Sequence, residues 1–377
     1  MQLLDSLSNQ PSDSTFERSL NTLQDIAVHV QIQSNFCVSH PKYAPMELPP
    51  EIVTRFQQLP LDIQRQYLSL QLRSYLHNIY FKGDADTAST SDTSSANLSL
   101  NFEKNTASGQ NSAFYWQLHT NNSGEGYFDP GWLVLKQEND GSLAVQKNNL
   151  TLHIQPDHEL QPGKQLATKG DIVAIRMPQN LLETGYYLAV SNAGLAKRGQ
   201  LETTCIYFNF SPEGALAMMK SLTQQLNEVR IPFTFKVVSE AASCKCYDSG
   251  ILCFERSDYH IVRPILQRIY HEQQCLRRAL PTHFQPELPL FTKFLAPGLG
   301  LAEEPDGNAS IKERFGTHRC QIVADGLLDA WHKGDNSMEG RMMSIYQRFS
   351  MLGIELQHPY LNVNSEDIYT TLDLCEQ

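Results

Sequence analysis

The chain has 377 residues, 41% hydrophobic and 19% charged, which is enough apolar material for a sizeable core and too little charge for a disordered chain. Its formal net charge of -11 argues against sequence-independent nucleic-acid binding, which needs surplus Lys and Arg to displace counterions. No apolar run approaches the roughly 20 residues of a membrane helix, and the opening stretch MQLLDSLSNQPSDSTFE carries Asp5 and no basic segment, so it does not read as a secretory signal.

The expected compartment is therefore the cytoplasm. Of the cysteines only Cys244 and Cys246 cluster, a poor zinc pattern, so reduced thiols packed in the core and no metal are expected.

Residues 16–82 read as mostly helical, with an amphipathic stripe of Ile63, Tyr67, Leu68, Leu70, Leu72, Tyr75, Leu76 and Ile79, and a break at Pro60. Residues 83–112 are dominated by Ser, Thr, Asp, Asn and Ala and read as a mobile surface loop. From 113 the pattern turns to short strands: FYWQLH, WLVLKQ, SLAVQK and LTLHIQ, with Asn139-Asp140-Gly141 as a hairpin signal. GDIVAIRMP, GYYLAVS and TTCIYFNF continue the sheet. Ser211-Pro212-Glu213 then predicts a capped helix start, followed by the strands IPFTFKVVS and GILCFE.

Three helices dominate the end, with Gly334 and Gly353 as stops. PLFTKFLAPGLGLAEEPDGN looks too irregular for helix or strand. The expected fold class is α+β with a mixed or antiparallel sheet, flanking helices and a helical C-terminus. Two parts are expected: an N-terminal helical region with its loop (1–112) and an α+β domain (113–377).

The familiar motifs for phosphate loops, zinc proteases and serine hydrolases are absent, and the G-x-G of PGLGLAEEP is a weak dinucleotide signal. More informative are cations inside apolar elements. In PFTFKVVS, Lys236 shares a strand face with Thr234 and Val238. If that face is covered, burial and neighbouring cations lower its pKa and make it a general base; if not, it is a surface lysine with a packed stem.

Lys245 and Lys293 sit in comparable half-apolar settings, and Arg319 follows His318 where a helix begins; each is an ordinary surface cation or part of an anion site. Tyr207 and Asn209 share a face of CIYFNF and lie beside Lys236 if those strands pair. Tyr207 then serves as an acid or as a buried, backbone-bonded tyrosine. His318 and His283 are candidate proton donors or solvated loop residues. Glu303 and Glu304 read as surface charges.

YFNFSPEGALAMMKSLTQQLN, IPFTFKV, DYHIVRPIL, PLFTKFLAPGLGLAEEP, FGTHRCQIVADGLLDAW and HPYLN…SEDIY together resemble the HopA-type effector family, from about Tyr115 to Asp373. Members of that family encoded beside a kinase-like protein act in class V lanthipeptide and related peptide pathways and are similar to phosphothreonine lyases. The resemblance implies β-elimination of phosphate from phospho-Ser or phospho-Thr, giving dehydroalanine or dehydrobutyrine. Lys236 would be the base, and Tyr207 or His318 the acid. The phosphate or substrate contacts would come from Lys245, Lys293, Arg319 and Asn209. No cofactor or metal is implied; the partners would be a phosphorylated precursor peptide or protein and a kinase-like protein, with no nucleic acid and no membrane. The alternative is an effector-like protein-binding module without catalysis.

Overall fold

The computed structural model describes residues 14–84, 113–161, 163, 166–195, 202–275, 283–305 and 314–373. Most of the stretch read as a mobile loop, 85–112, lies outside the described residues.

The chain opens with α1 (Ser14–His29), then a small antiparallel sheet of β1 (Gln31–Ser34), β2 (Cys37–His40) and β3 (Tyr43–Glu47). The helical reading of 16–82 missed this sheet. Its four- and five-residue strands are too short to set an alternating pattern against the surrounding helical one. Next come α2 (Pro50–Gln57) and α3 (Leu61–Leu76), divided at Pro60 as expected. Leu68, Leu72, Tyr75 and Leu76 face inward from α3. The helix then widens into one π-helical turn, His77–Phe81.

FYWQLH, expected as a strand, lies instead in α4 (Ala113–Asn121). Its aromatic residues favour strands intrinsically, but here Phe114, Tyr115 and Leu118 form one buried helical stripe, and packing overrides propensity. A four-stranded antiparallel sheet follows, made of β4 (Tyr127–Gln137), β5 (Leu143–Lys147), β6 (Leu150–Ile154) and β7 (Ile172–Met177), in the order β6-β5-β4-β7. The Asn139-Asp140-Gly141 turn joins β4 to β5, as read. Trp132, Val134, Leu143, Val145, Ile154, Val173 and Ile175 give this sheet a small core of its own.

The centre of the molecule is a seven-stranded antiparallel sheet in the order β13-β14-β10-β12-β11-β9-β8. Its strands are β8 (Asn180–Glu183), β9 (Tyr186–Val190), β10 (Thr203–Phe208), β11 (Phe233–Val238), β12 (Gly250–Glu255), β13 (Lys293–Ala296) and β14 (Leu299–Glu303). Three helices complete it besides α4: α5 (Pro212–Glu228), α6 (Tyr259–Cys275) and α7 (Phe315–His332), with α8 (Met338–Met351) packed on α7. Ser211 caps α5, its Oγ accepting from the Gly214 amide at 3.1 Å.

The β13–β14 hairpin corrects the reading of PLFTKFLAPGLGLAEEP as irregular. All five β14 residues are buried, so the strand shows no in–out alternation, and its glycines disguise it further. Those glycines are needed there: Gly298 turns the hairpin at φ +76°, and a Cβ on Gly300 would sit 2.5 Å from the Thr292 hydroxyl.

One continuous core joins α1, the small sheet, α3 and the π turn to the seven-stranded sheet and its helices. It therefore crosses the 112/113 boundary expected from the sequence. The separately cored unit is the four-stranded sheet. The expectation of reduced thiols needs one correction: Cys205 and Cys253, directly opposed on β10 and β12 with Cα atoms 4.2 Å apart, form a disulfide. Among the described residues no helix is long and apolar enough to cross a membrane.

Candidate functional site

Register determines what the central sheet presents. Leu188, Lys236, Ile251, Tyr207 and Gly300 are successive partners across β9, β11, β12, β10 and β14. Side chains in one such row point to one face. Lys236 and Tyr207 therefore share a face, as anticipated, but β12 lies between their strands, which separates them by about 10 Å.

The opposite face is apolar. It carries Phe233, Phe235 and Val237 from β11, and Tyr187 meets Tyr115 and His119 of α4 there. The Lys236 face is roofed by the π turn and by α7. Phe81 meets Tyr207 edge-on at 5.6 Å, and Phe315 lies 6.3 Å from the same ring.

Under that roof Lys236 is only 8% exposed. Its ammonium forms an ion pair with Glu183 at the end of the edge strand β8 and lies 3.6 Å from the centre of the Tyr186 ring. The same Glu183 oxygen accepts from Arg314, just before α7, at 3.3 Å. Burial, reinforced by the Arg314 charge, lowers the Lys236 pKa to about 8, against the opposing pull of Glu183. A lysine tuned this way holds a usable fraction of neutral amine near neutral pH, as a general base needs.

Asp248 completes the cluster. It lies in the turn before β12, and its surroundings hold it firmly. The Tyr247 amide donates to the Lys82 carbonyl at 2.8 Å, and Ser249 Oγ donates to the Phe208 carbonyl at 3.0 Å. Lys82 follows the π turn, a helix distortion frequent at functional sites. Gly83 lets the chain pass the Tyr247 ring, which a Cβ would strike at 2.3 Å. Burial raises the Asp248 carboxyl above the usual carboxylate range, while Lys82, Lys236 and Arg314 draw it back. Tyr207, buried beside Glu304 at 3.5 Å and facing Asp248 electrostatically, has its phenol pushed well above its ordinary value.

The other residues singled out from the sequence have different settings. Lys293 is held by Asp367 at 2.5 Å and by the Tyr360 hydroxyl at 3.0 Å, tying β13 to the C-terminal segment. Arg319 is 1% exposed and donates to the carbonyls of Pro359 and Leu361, each at 2.8 Å. Its pKa falls to about 10 through burial.

His318 Nδ1 accepts from Arg319 at 2.7 Å, and burial with that charge lowers the ring to about 4, leaving it neutral at pH 7. Asn209 is fully buried and donates to the Glu287 carbonyl at 3.0 Å, pinning the loop before β13. Lys245 is exposed on the 3-10 turn Ala241–Lys245, where its charge acts on Cys246. His283 is buried, and its carbonyl accepts from the Ser211 amide at the start of α5. Glu303, read as a surface charge, is a buried hub accepting from Arg256, Ser365 and Tyr369.

The structure thus brings Lys236 and Tyr207 together with Lys82, Glu183, Tyr186, Asp248 and Arg314, which sequence reasoning missed. Lys82 ends the stretch read as helical, Asp248 lies in a turn that carried no signal, and Glu183 ends a four-residue strand. Only the alternation in β9 and β11 offered a signal, since it puts Tyr186 and Lys236 on one face.

Residues 177–361 match the profile of the HopA1 effector protein family. Over that span the chain is similar to this family. The HopA1 region contains Glu183, Tyr186, Tyr207, Lys236, Asp248 and Arg314, whereas Lys82 reaches the cluster from outside it. Solved structures similar to the chain include the following two. One is the effector protein from Pseudomonas syringae pv. tomato strain DC3000, at 14% identity, covering 66% of this chain and 79% of that one with a TM-score of 0.38. The other is the effector protein from Pseudomonas syringae pv. syringae strain 61, at 16% identity, covering 68% and 82% with a TM-score of 0.38. No curated protein matches the chain.

Proposed function

We propose that the HopA1 region is a phosphoserine/phosphothreonine lyase that eliminates phosphate from a peptide or protein to leave dehydroalanine or dehydrobutyrine. The observation that carries this reading is the Lys236 amine, buried on a sheet face, lowered to about 8 and set beside a second cation, Arg314. Abstraction of a proton alpha to a carbonyl needs such a base, and departure of phosphate needs cations where its charge develops.

Glu183 marks where an anion is welcome, since one of its oxygens serves both Lys236 and Arg314. A substrate phosphate takes over Arg314 and Lys82, and the neutral fraction of Lys236 faces Cα. That amine removes the Cα proton, the Cβ–O bond breaks, and its electron pair leaves with the phosphate. The natural substrate on this reading is a ribosomal precursor peptide phosphorylated by a kinase-like partner.

The test is mass spectrometry of a phosphothreonine peptide, ideally the precursor phosphorylated by its own kinase. Loss of the elements of phosphoric acid with the wild type and none with Lys236→Ala supports the lyase. An unchanged phosphopeptide with the authentic kinase and precursor present overturns it and leaves a protein-binding module.

A further inference from the structure

Phosphate is a poor leaving group until it is protonated, so a lyase of this kind needs an acid opposite its base. The residues named from the sequence fit that task badly. His318 has no imidazolium at pH 7, because burial and Arg319 lower it to about 4. Tyr207 keeps its proton too tightly, since burial and the nearby carboxylates of Glu304 and Asp248 all oppose a phenolate.

We propose that Asp248 is the general acid of the site, donating its proton to the departing phosphate; this rests on the lyase reading above. Asp248 is 6% exposed. On either side of it, the Tyr247 amide donates to the Lys82 carbonyl at 2.8 Å and the Ser249 carbonyl accepts from Val238 of the Lys236 strand at 3.1 Å, while Lys236 and Arg314 share one Glu183 oxygen. All three cations act on its charge. Tyr186 of β9, Tyr207 of β10 and Cys246 are the other titratable groups facing it.

This arrangement couples protonation to substrate. In the free protein the three cations oppose the effect of burial and favour the carboxylate. A bound phosphate dianion neutralises those cations and adds its own negative charge, so Asp248 takes up a proton only when there is a leaving group to receive it. The step balances without a co-reactant. Lys236 gains the Cα proton, the Cβ–O electron pair goes to phosphate, Asp248 supplies the proton, and Lys236 then returns one to Asp248.

The experiment compares a phosphothreonine peptide with the same peptide carrying O-sulfothreonine, whose sulfate leaves without protonation. Wild type, Asp248→Asn and Lys236→Ala are assayed on both. Asp248→Asn is expected to lose about 10²–10⁴-fold on the phosphopeptide and less than tenfold on the sulfopeptide, while Lys236→Ala loses both. The retained sulfopeptide turnover also reports that Asp248→Asn is folded.

If that variant does not fold, the wild-type pH profiles decide. A falling limb at high pH with the phosphopeptide, absent with the sulfopeptide, is the expected result. Equal losses on both peptides, or identical profiles, overturn the assignment of Asp248. If the wild type turns over neither peptide, the lyase reading itself falls.

Discussion

The two faces of the central sheet are built from the same strands and do opposite jobs. On one, Phe233, Phe235 and Val237 are sealed from water with Phe208 and Tyr187, whose hydroxyl accepts from the neutral Asn122 amide at 3.0 Å. On the other, one residue away at each step, Lys236 and Tyr207 are buried among ionisable groups that come from four further segments. A charged group is costly to bury without partners. The second face therefore gives up packing energy that the first one gains.

The sharpest way to break this comparison is to mutate neighbours. Lys236→Ala is expected to abolish phosphate release while leaving the melting transition nearly unchanged. Phe235→Ala, one residue away on the other face, is expected to cost about 3–5 kcal/mol of stability while leaving turnover per folded molecule intact. Thermal melts and single-turnover assays of the two variants separate the roles; matching profiles would erase the distinction.

A smaller effect is expected at Arg314, whose charge serves the site without contributing a proton. On the proposed lyase reading, Arg314→Ala should remove one charge-assisted contact to phosphate, about 1.5–3 kcal/mol, and appear mainly in KM for the phosphopeptide. Equal loss in kcat would make Arg314 a transition-state contact.

The pH dependence sharpens the account further. Only the neutral amine accepts a proton, so kcat/KM should rise as pH passes up through about 8, levelling above it for the sulfopeptide and falling again at high pH for the phosphopeptide, which needs the protonated acid. Glu183 raises the Lys236 pKa, so Glu183→Gln should move that rise to lower pH. A shift to higher pH would contradict the ion-pair geometry.

The smallest effect belongs to Lys293. Lys293→Ala severs the tie to Asp367 and Tyr360 and should cost about 1 kcal/mol of stability, with activity unchanged. A loss of phosphopeptide turnover would return Lys293 to the site.

Much of this was legible in the sequence. Strand alternation in FTFKVV placed Lys236 on a distinct face, and the cap at Ser211 and the turn at Asn139-Asp140-Gly141 set their neighbours. The three strands of the small sheet, too short for periodicity, were not readable, nor was β14, buried on both faces and rich in glycine. FYWQLH misled because strand propensity and helical burial compete in six residues, and packing decides.

Site composition was legible only for Lys236 and Tyr207. Lys82, Glu183, Asp248 and Arg314 stand far apart in the chain, and nothing local distinguishes them from a helix end, an edge strand, a turn and a loop. Long-range sheet order alone assembles them. Conversely, Lys293 looked like an anion ligand for its half-apolar setting and Arg319 because a helix begins there, while the carboxylate and carbonyls that satisfy them were not visible.

The most direct test of the account is an NMR titration of the Lys236 side chain in lysine-labelled protein, assigned by its loss in Lys236→Ala and repeated with a phosphothreonine peptide bound. The account predicts titration near 8 in the free protein, moving upward when the phosphate dianion binds. A Lys236 that titrates at the ordinary value of about 10.4 and ignores the phosphopeptide would contradict it.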